Sequence, residues 1–313
     1  MSISYARPLL DHQTIEGFLK GCLQIDRTFK CYNGVSYSAS DIAKKIRDAE
    51  SAVGQTNRDC TLTSPRNRVP EYRDDGLRIG LRETILSELI QLDRLDSDDA
   101  IQLGVGGAKP KLRAPENGFQ AFIITGLPAS GKSTLVNTIS DKLGAMILDS
   151  DFAKRKLPEY DGSPAGANLV HKESSTIVFG DDQGEPSLFG YCKETGSNVV
   201  IPKIGHDYKD LQDLRKGLVT AGYKVHLTSV VLTRGDAATR ALGRFLETGR
   251  YVPLSLIFDG YANDPIMNYY RCRLNAEVVK DEWASFGAIS TDTNKPLVID
   301  CTSDENPVSL LGS

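Results

Sequence analysis

Residues Gly126-Leu127-Pro128-Ala129-Ser130-Gly131-Lys132-Ser133 place two glycines, a lysine and a hydroxyl at the spacing G-x-x-x-x-G-K-[ST]. A glycine-rich turn between a strand and a helix N-terminus directs several backbone N–H groups at a polyphosphate, and the helix dipole adds to the attraction. In that setting Lys132 reaches the β- and γ-phosphates of a nucleoside triphosphate and Ser133 holds Mg²⁺. The setting is present in the sequence. The apolar run Ala121–Ile124 precedes the loop, and Thr134, the last residue of the phosphate-binding stretch, opens a helix-like run with Leu135, Val136 and Ile139. ATP (or GTP) and Mg²⁺ are therefore the expected cofactors.

Other residues suit transfer of the phosphate. The next apolar run ends in Leu148-Asp149-Ser150-Asp151, and ligands of an open parallel sheet gather at the carboxyl ends of its strands. A carboxylate there can take the proton of an attacking hydroxyl, and Asp151 is the expected base; the plainer roles for the pair are a helix cap and ordering of metal-bound water. The polar stretch Lys154–Ser175 is expected to build a substrate pocket, with Glu173 hydrogen-bonding substrate hydroxyls; His171 could be structural or functional. Arg234, Arg240, Arg244 and Arg250 punctuate a later helical stretch. Charge on a helix is usually a solvated face, but two guanidiniums on a lid would stabilise the transferring phosphoryl group.

These residues need a scaffold, and the runs 145–148, 198–201, 224–232 and 296–300 are short and nearly continuous in hydrophobicity, as suits buried parallel strands. Helical patterns at 208–219 (Leu211, Leu214, Leu218) and 236–246 separate them. The expected fold is α/β, a P-loop NTPase parallel sheet with helices on both faces. In front stand two amphipathic patterns. One carries Ile15, Phe18, Leu19, Cys22 and Leu23 behind Asp11 or Thr14; the other carries Ile42, Ile46, Ala49 and Val53 behind Ser40 or Asp41. The polar stretch 55–72 reads as a linker. This divides the chain into a helical module, 1–72, and a kinase domain, 73–313, whose first helix carries Leu81, Ile85, Leu89 and Leu92 and runs into Asp96-Ser97-Asp98-Asp99. The glycine-rich stretch 103–115 does not follow a strand and is read as a loop.

The 313 residues carry a net charge of −4, which gives no bulk reason to expect a nucleic-acid partner. Six scattered cysteines form no C-x-x-C pair, so neither a zinc site nor a disulfide framework is indicated. No run of about 18 apolar residues and no secretory leader occurs. A cytoplasmic protein without a membrane partner is the expectation.

The phosphate loop, the strand ending in Asp-x-Asp, Leu157-Pro158-Glu159-Tyr160, the Glu173 helix and the arginine stretch together resemble the zeta toxin family, small-molecule kinases of bacterial toxin–antitoxin systems. The likeness runs from about Leu77 to Val298. It implies a catalytic aspartate at Asp151, a substrate-contacting glutamate at Glu173, and phosphate-clamping arginines at Arg244 and Arg250. It also implies an acceptor, the sugar 3′-hydroxyl of UDP-N-acetylglucosamine, whose phosphorylation blocks cell-wall precursor synthesis. One departure bears on the acceptor: where that subgroup has Glu-Gly-Thr-Gly-Arg, this chain has Pro202-Lys203-Ile204-Gly205-His206, which leaves Lys203 and His206 as the polar substrate contacts. The segment 157–175 also resembles AvrRxo1-type effectors, which phosphorylate a ribose 3′-hydroxyl of NAD. Residues 1–72 resemble the front part of EzeT-type single-chain zeta proteins, which implies an intramolecular inhibitory partner that obstructs the nucleotide or acceptor site. The rivals are a kinase of nucleic-acid ends, which would need a basic groove, and a nucleotide-dependent switch without metabolite kinase activity.

Overall fold

The apolar runs of the second half of the chain become strands of one sheet, and the amphipathic patterns at the front become helices that pack against the helix Arg234–Thr248, far away in sequence. The computed structural model describes residues 8–55, 60–160, 164–181, 184–279, 283–293 and 295–311. The chain opens with α1 (His12–Cys22), a hairpin of β1 (Thr28–Lys30) and β2 (Ser36–Ser38), and α2 (Ala39–Gln55). Asp11 caps α1 by accepting from the Thr14 N–H at 2.8 Å. The cap of α2 is Ser38, whose hydroxyl accepts from the Asp41 N–H at 3.1 Å. Sequence had pointed to Ser40 or Asp41; the helix starts earlier because the hairpin delivers Ser38 directly to its first turn.

After α3 (Asp75–Gln91) come β3 (Gln120–Thr125), α4 (Lys132–Leu143), β4 (Met146–Ile147), α5 (Ser150–Lys156), α6 (Pro164–Leu169), α7 (His171–Phe179), α8 (Leu188–Thr195), β5 (Val199–Pro202), α9 (Tyr208–Thr220) and β6 (Lys224–Val231). Then follow α10 (Arg234–Thr248), a π-helical turn at Leu256–Tyr261, α11 (Asp264–Val279), β7 (Ser285–Ser290) and β8 (Leu297–Cys301). Among the described residues the main sheet has the order β4-β5-β3-β6-β7-β8. Its first five strands are parallel and β8 is antiparallel. This is the α/β architecture expected, with two differences. The run 296–300 is not a buried parallel strand but the exposed edge: Leu297 is 64% exposed. The buried neighbour is β7, Ser-Phe-Gly-Ala-Ile-Ser, whose small residues hide it from a hydrophobicity count. Gly287 within it must lack a side chain, because a Cβ would lie 2.1 Å from Asn306 Oδ1.

One apolar cluster gathers the sheet with α3, α4, α9 and α11. A second joins the front region to the phosphate loop and α10. Ile15, Leu19, Ile42 and Ile46, all fully buried, share it with Leu127 of the phosphate loop and with Leu242, Leu246, Leu254 and Ile257 around α10. Each such side chain contributes about 1.5–3 kcal/mol by leaving water, so residues 8–55 are welded to α10. Of the polar stretch read as a linker, residues 56–59 lie outside the described residues, while Thr61 and Arg68 are buried, Thr61 bonded to Glu173 of α7 and Arg68 to Asp75 of α3. No helix among the described residues is long and apolar enough to cross a membrane.

Candidate active site

The phosphate loop lies between the central strand β3 and α4, at the point where the sheet order reverses and a crevice opens. Three backbone positions shape it. Gly126 has φ +151, and a Cβ there would lie 2.5 Å from the Val230 carbonyl oxygen. Ala129 and Gly131 also have positive φ, at +59 and +89. Alternating handedness of this kind turns successive N–H groups toward one point and forms an anion nest. Lys132 Nζ folds back onto the Gly126 and Leu127 carbonyl oxygens, at 2.8 and 2.6 Å. Burial lowers its pKa to about 8, with Asp149 and Asp151 acting in the opposite direction.

The loop borders a cavity of about 1100 Å³ that also reaches Asp149, Asp151, Arg244, Arg250, Lys203 and His206. Asp149, at the end of β4, caps α5 by accepting from the Asp151 N–H at 2.9 Å. Burial, helped by the Asp151 charge, pushes its carboxyl up to about 6. Asp151, in the first turn of α5, accepts from Lys154 at 2.7 Å and from Arg250. Burial works against its charge, but Lys154 and Arg250 hold it well below the usual carboxylate range. Two neighbouring acids are thus driven apart by different company.

The four arginines also divide. Arg244 and Arg250 line the cavity. Arg240 donates to the Thr291 carbonyl at 2.8 Å, bracing the segment whose Thr291 hydroxyl holds the Ser130 carbonyl. Arg234 lies over the Phe258 ring. The far end of the cavity carries Lys203 over the Phe179 ring at 4.2 Å and His206 beside Tyr261, with ring centroids 4.8 Å apart. Burial and the Lys154 charge lower the pKa of His171, which also lines the cavity. Of the described residues in the polar stretch 154–175, His171 alone does so, and Asp161, Gly162 and Ser163 lie outside the described residues.

Glu173 is elsewhere. It has no exposed surface and takes Arg78 at 2.7 Å through both oxygens, Arg82 at 2.9 Å and the Thr61 hydroxyl. Arg78 in turn forks onto Glu159 at 2.9 Å. Glu173, expected to contact substrate, does not line the cavity and instead belongs to a buried ionic cluster that ties α3 to α7. Sequence also passed over Asp98 and Asp99, which enter the cavity from the loop after α3, and Tyr261, which the π-helical turn delivers. Nothing local in Asp96-Ser-Asp-Asp distinguishes a solvated acidic turn from one folded into a cation-rich cleft.

The donor set suits Mg²⁺. Among the described residues no group of three or more His, Cys, Asp or Glu side chains forms a metal cage, and Mg²⁺ is ordinarily held by one or two protein oxygens together with substrate phosphates. The Ser133 hydroxyl and the Asp149 carboxylate are such oxygens on the cavity wall.

Residues 111–264 match the family model described as Zeta toxin. No curated protein matches the chain in sequence. Among solved structures, the chain is similar to one from the PezAT chromosomal toxin–antitoxin system of Streptococcus pneumoniae. That pair is 13% identical, covers 78% of this chain and 88% of that one, and has a TM-score of 0.45. It is also similar to the AvrRxo1-ORF1:-ORF2 complex with ATP (15%, 85% and 75%, TM-score 0.43) and to a gluconokinase from Sinorhizobium meliloti 1021 (18%, 57% and 86%, TM-score 0.31). The family match falls on the phosphate loop, the paired aspartates and the arginines, so residues 111–264 resemble the zeta toxin family, behind an additional N-terminal region.

Proposed function

We propose that the chain transfers the γ-phosphoryl group of ATP (or GTP) to the sugar 3′-hydroxyl of a nucleotide-linked metabolite, with UDP-N-acetylglucosamine as the first acceptor. The observation that carries this reading is the meeting of the phosphate loop, an ionised Asp151, and Arg244 with Arg250 in one cavity, with further room toward Lys203 and His206. The loop backbone and Lys132 bind the phosphates. Asp151 accepts the proton as the acceptor oxygen bonds to phosphorus and the β-phosphate oxygen departs, and the guanidiniums stabilise charge on the equatorial oxygens. Lys203 and His206 contact the acceptor. The Ser133 hydroxyl would hold Mg²⁺, which would supply neutralisation of the phosphate charge. Catalysis is then mostly positioning and electrostatics.

NAD is the second reading, favoured by Ile204, which cannot hydrogen-bond a sugar where the UDP-N-acetylglucosamine subgroup has a threonine. Residues 8–55 restrain the kinase in cis, through the arginine-bearing lid formed by α10 and the segment on to Tyr251, rather than by filling the cavity. Support comes from the core shared with α10 and from the Tyr251 hydroxyl, which donates to Glu50 at 2.6 Å beside Arg250. Among the described residues, none from 8–55 lines the cavity.

The test is mass spectrometry of a metabolite panel incubated with the full chain, ATP and Mg²⁺. One added phosphate on the sugar of UDP-N-acetylglucosamine is the expected result, and phosphorylated NAD instead would select the second reading. Bound ATP with no metabolite phosphorylated would replace both with a nucleotide-dependent switch.

A further inference from the structure

Beyond the end of α3 the chain forms a short 3₁₀ turn at Asp98–Ala100, whose two acids line the cavity together with Lys132 and Ser133. Asp99 Oδ1 accepts from Arg155 at 2.8 Å and from Arg244 at 3.0 Å, and lies 3.9 Å from Arg250. The Asp98 carboxyl lines the cavity together with the Ser133 hydroxyl, which favours its charged form. These are the guanidiniums assigned above to the transferring phosphate and the hydroxyl assigned to its metal. A carboxylate and a phosphoryl oxygen ask the same of a guanidinium, namely N–H donors in its plane, so one clamp cannot serve both fully.

The way the turn is held bears on this. On one side Arg94 is anchored to Asp141 of α4, with Nε at 3.1 Å, and Lys111 holds Asp96 at 2.6 Å. On the other, Ile101 is buried. Between them Ser97, Asp99 and Ala100 are exposed, and the Asp99 side chain keeps 40% of its surface in water while paired with two arginines. Ion pairs, not packing, hold the turn in.

We infer that Asp98 and Asp99 form an internal plug that imitates phosphate and must swing out before a nucleoside triphosphate engages Arg244, Arg250 and Ser133. This rests on the kinase reading of the cavity. It differs from the restraint assigned to residues 8–55, because it lies on the turn after α3 and acts on the clamp directly. When a binding-competent state is only fractionally populated, apparent affinity falls by that fraction. A plug seated in nine molecules of ten costs about tenfold in affinity by that relation.

The experiment is calorimetric titration of the full chain with Mg²⁺ and the non-hydrolysable β,γ-imido analogue of ATP. Asp98→Asn/Asp99→Asn is compared with wild type and with Glu83→Gln/Glu194→Gln, which makes the same change in net charge outside the cavity. The expected result is about tenfold tighter binding in the aspartate variant alone, with Asp99→Asn between it and wild type. Unchanged or weaker binding would make the acids supports of the arginines and overturn the plug; equal tightening in the control variant would overturn it too, as a bulk charge effect. Because the readout is binding, it separates the two readings. Tightened binding without transfer to any metabolite would sink the kinase assignment and keep the plug, and transfer without tightening would do the reverse.

Discussion

Asp149 and Asp151 stand two residues apart and have opposite tendencies. Asp149 caps a helix and is pushed up to about 6 by burial and its neighbour, whereas Lys154 and Arg250 keep Asp151 ionised against the same burial. Asp151→Asn should keep the fold and lower turnover about 10²–10⁴-fold, the usual contribution of a general base. Asp149→Asn should retain the cap, since asparagine caps as well as aspartate, and should alter stability with a definite sign. In the unfolded chain Asp149 ionises near its ordinary 3.8, and in the folded chain near 6. The folded state therefore holds the proton more tightly, and wild type loses stability as pH rises through that window. Thermal unfolding should show Asp149→Asn gaining on wild type between pH 4 and pH 7. A dead Asp149→Asn beside an active Asp151→Asn would reassign the base. The pair was legible in sequence as acids at a strand end. Their division of labour was not, because Arg250, which holds Asp151 in its charged form, lies 99 residues away.

At the level of elements, α3 and α7 are joined by the Arg78–Glu173–Glu159 cluster, with both carboxylates and the guanidinium out of water. Removing one partner leaves the rest of a buried ionic group uncompensated, at a cost of about 3–5 kcal/mol. Glu173→Ala should show that loss in denaturant unfolding, while the KM for acceptor of the folded fraction stays at the wild-type value. A raised KM with unchanged stability would return Glu173 to the substrate. Sequence could not separate these roles, since a glutamate near a polar, glycine-containing stretch looks the same whether it meets a sugar or an arginine 95 residues upstream. The strands repeat the point. β3, β5 and β6 were visible because burial on both faces makes a strand continuously apolar. β7 was hidden because its serines and Gly287 interrupt the apolar run, the space over Gly287 being filled by Asn306 and Val308, and β8 misled because its apolar residues lie at an exposed edge.

Across the whole molecule, residues 8–55 and the lid form one packed unit. The Glu50 carboxyl, raised by burial, is met by the Tyr251 hydroxyl, and the Asn33 N–H donates to Glu247 at 2.9 Å. Cutting the chain before residue 73 would strip water-excluding cover from Leu232, Leu242, Leu246 and Leu254, so a truncated protein tests folding as much as regulation. Glu50→Ala leaves the lid sequence untouched and removes the acceptor of a buried hydrogen bond, at about 1–3 kcal/mol. If the front region restrains the lid, this variant phosphorylates its metabolite faster and slows bacterial growth more on expression. A folded variant with neither gain would leave residues 8–55 as a structural brace. The two helices were legible from their periodicity, but their docking place was not, since Glu50 and Tyr251 are 201 residues apart. That separation has a consequence during synthesis. At roughly 5–20 residues per second, the first-made segment waits on the order of 10–40 s for its partners to leave the ribosome, its apolar faces exposed to chaperones. Arg250, assigned above to the phosphate clamp, emerges one residue before Tyr251, so on the proposed restraint the clamp and the contact that holds it would become available together, leaving no interval in which the nascent protein is armed and unguarded.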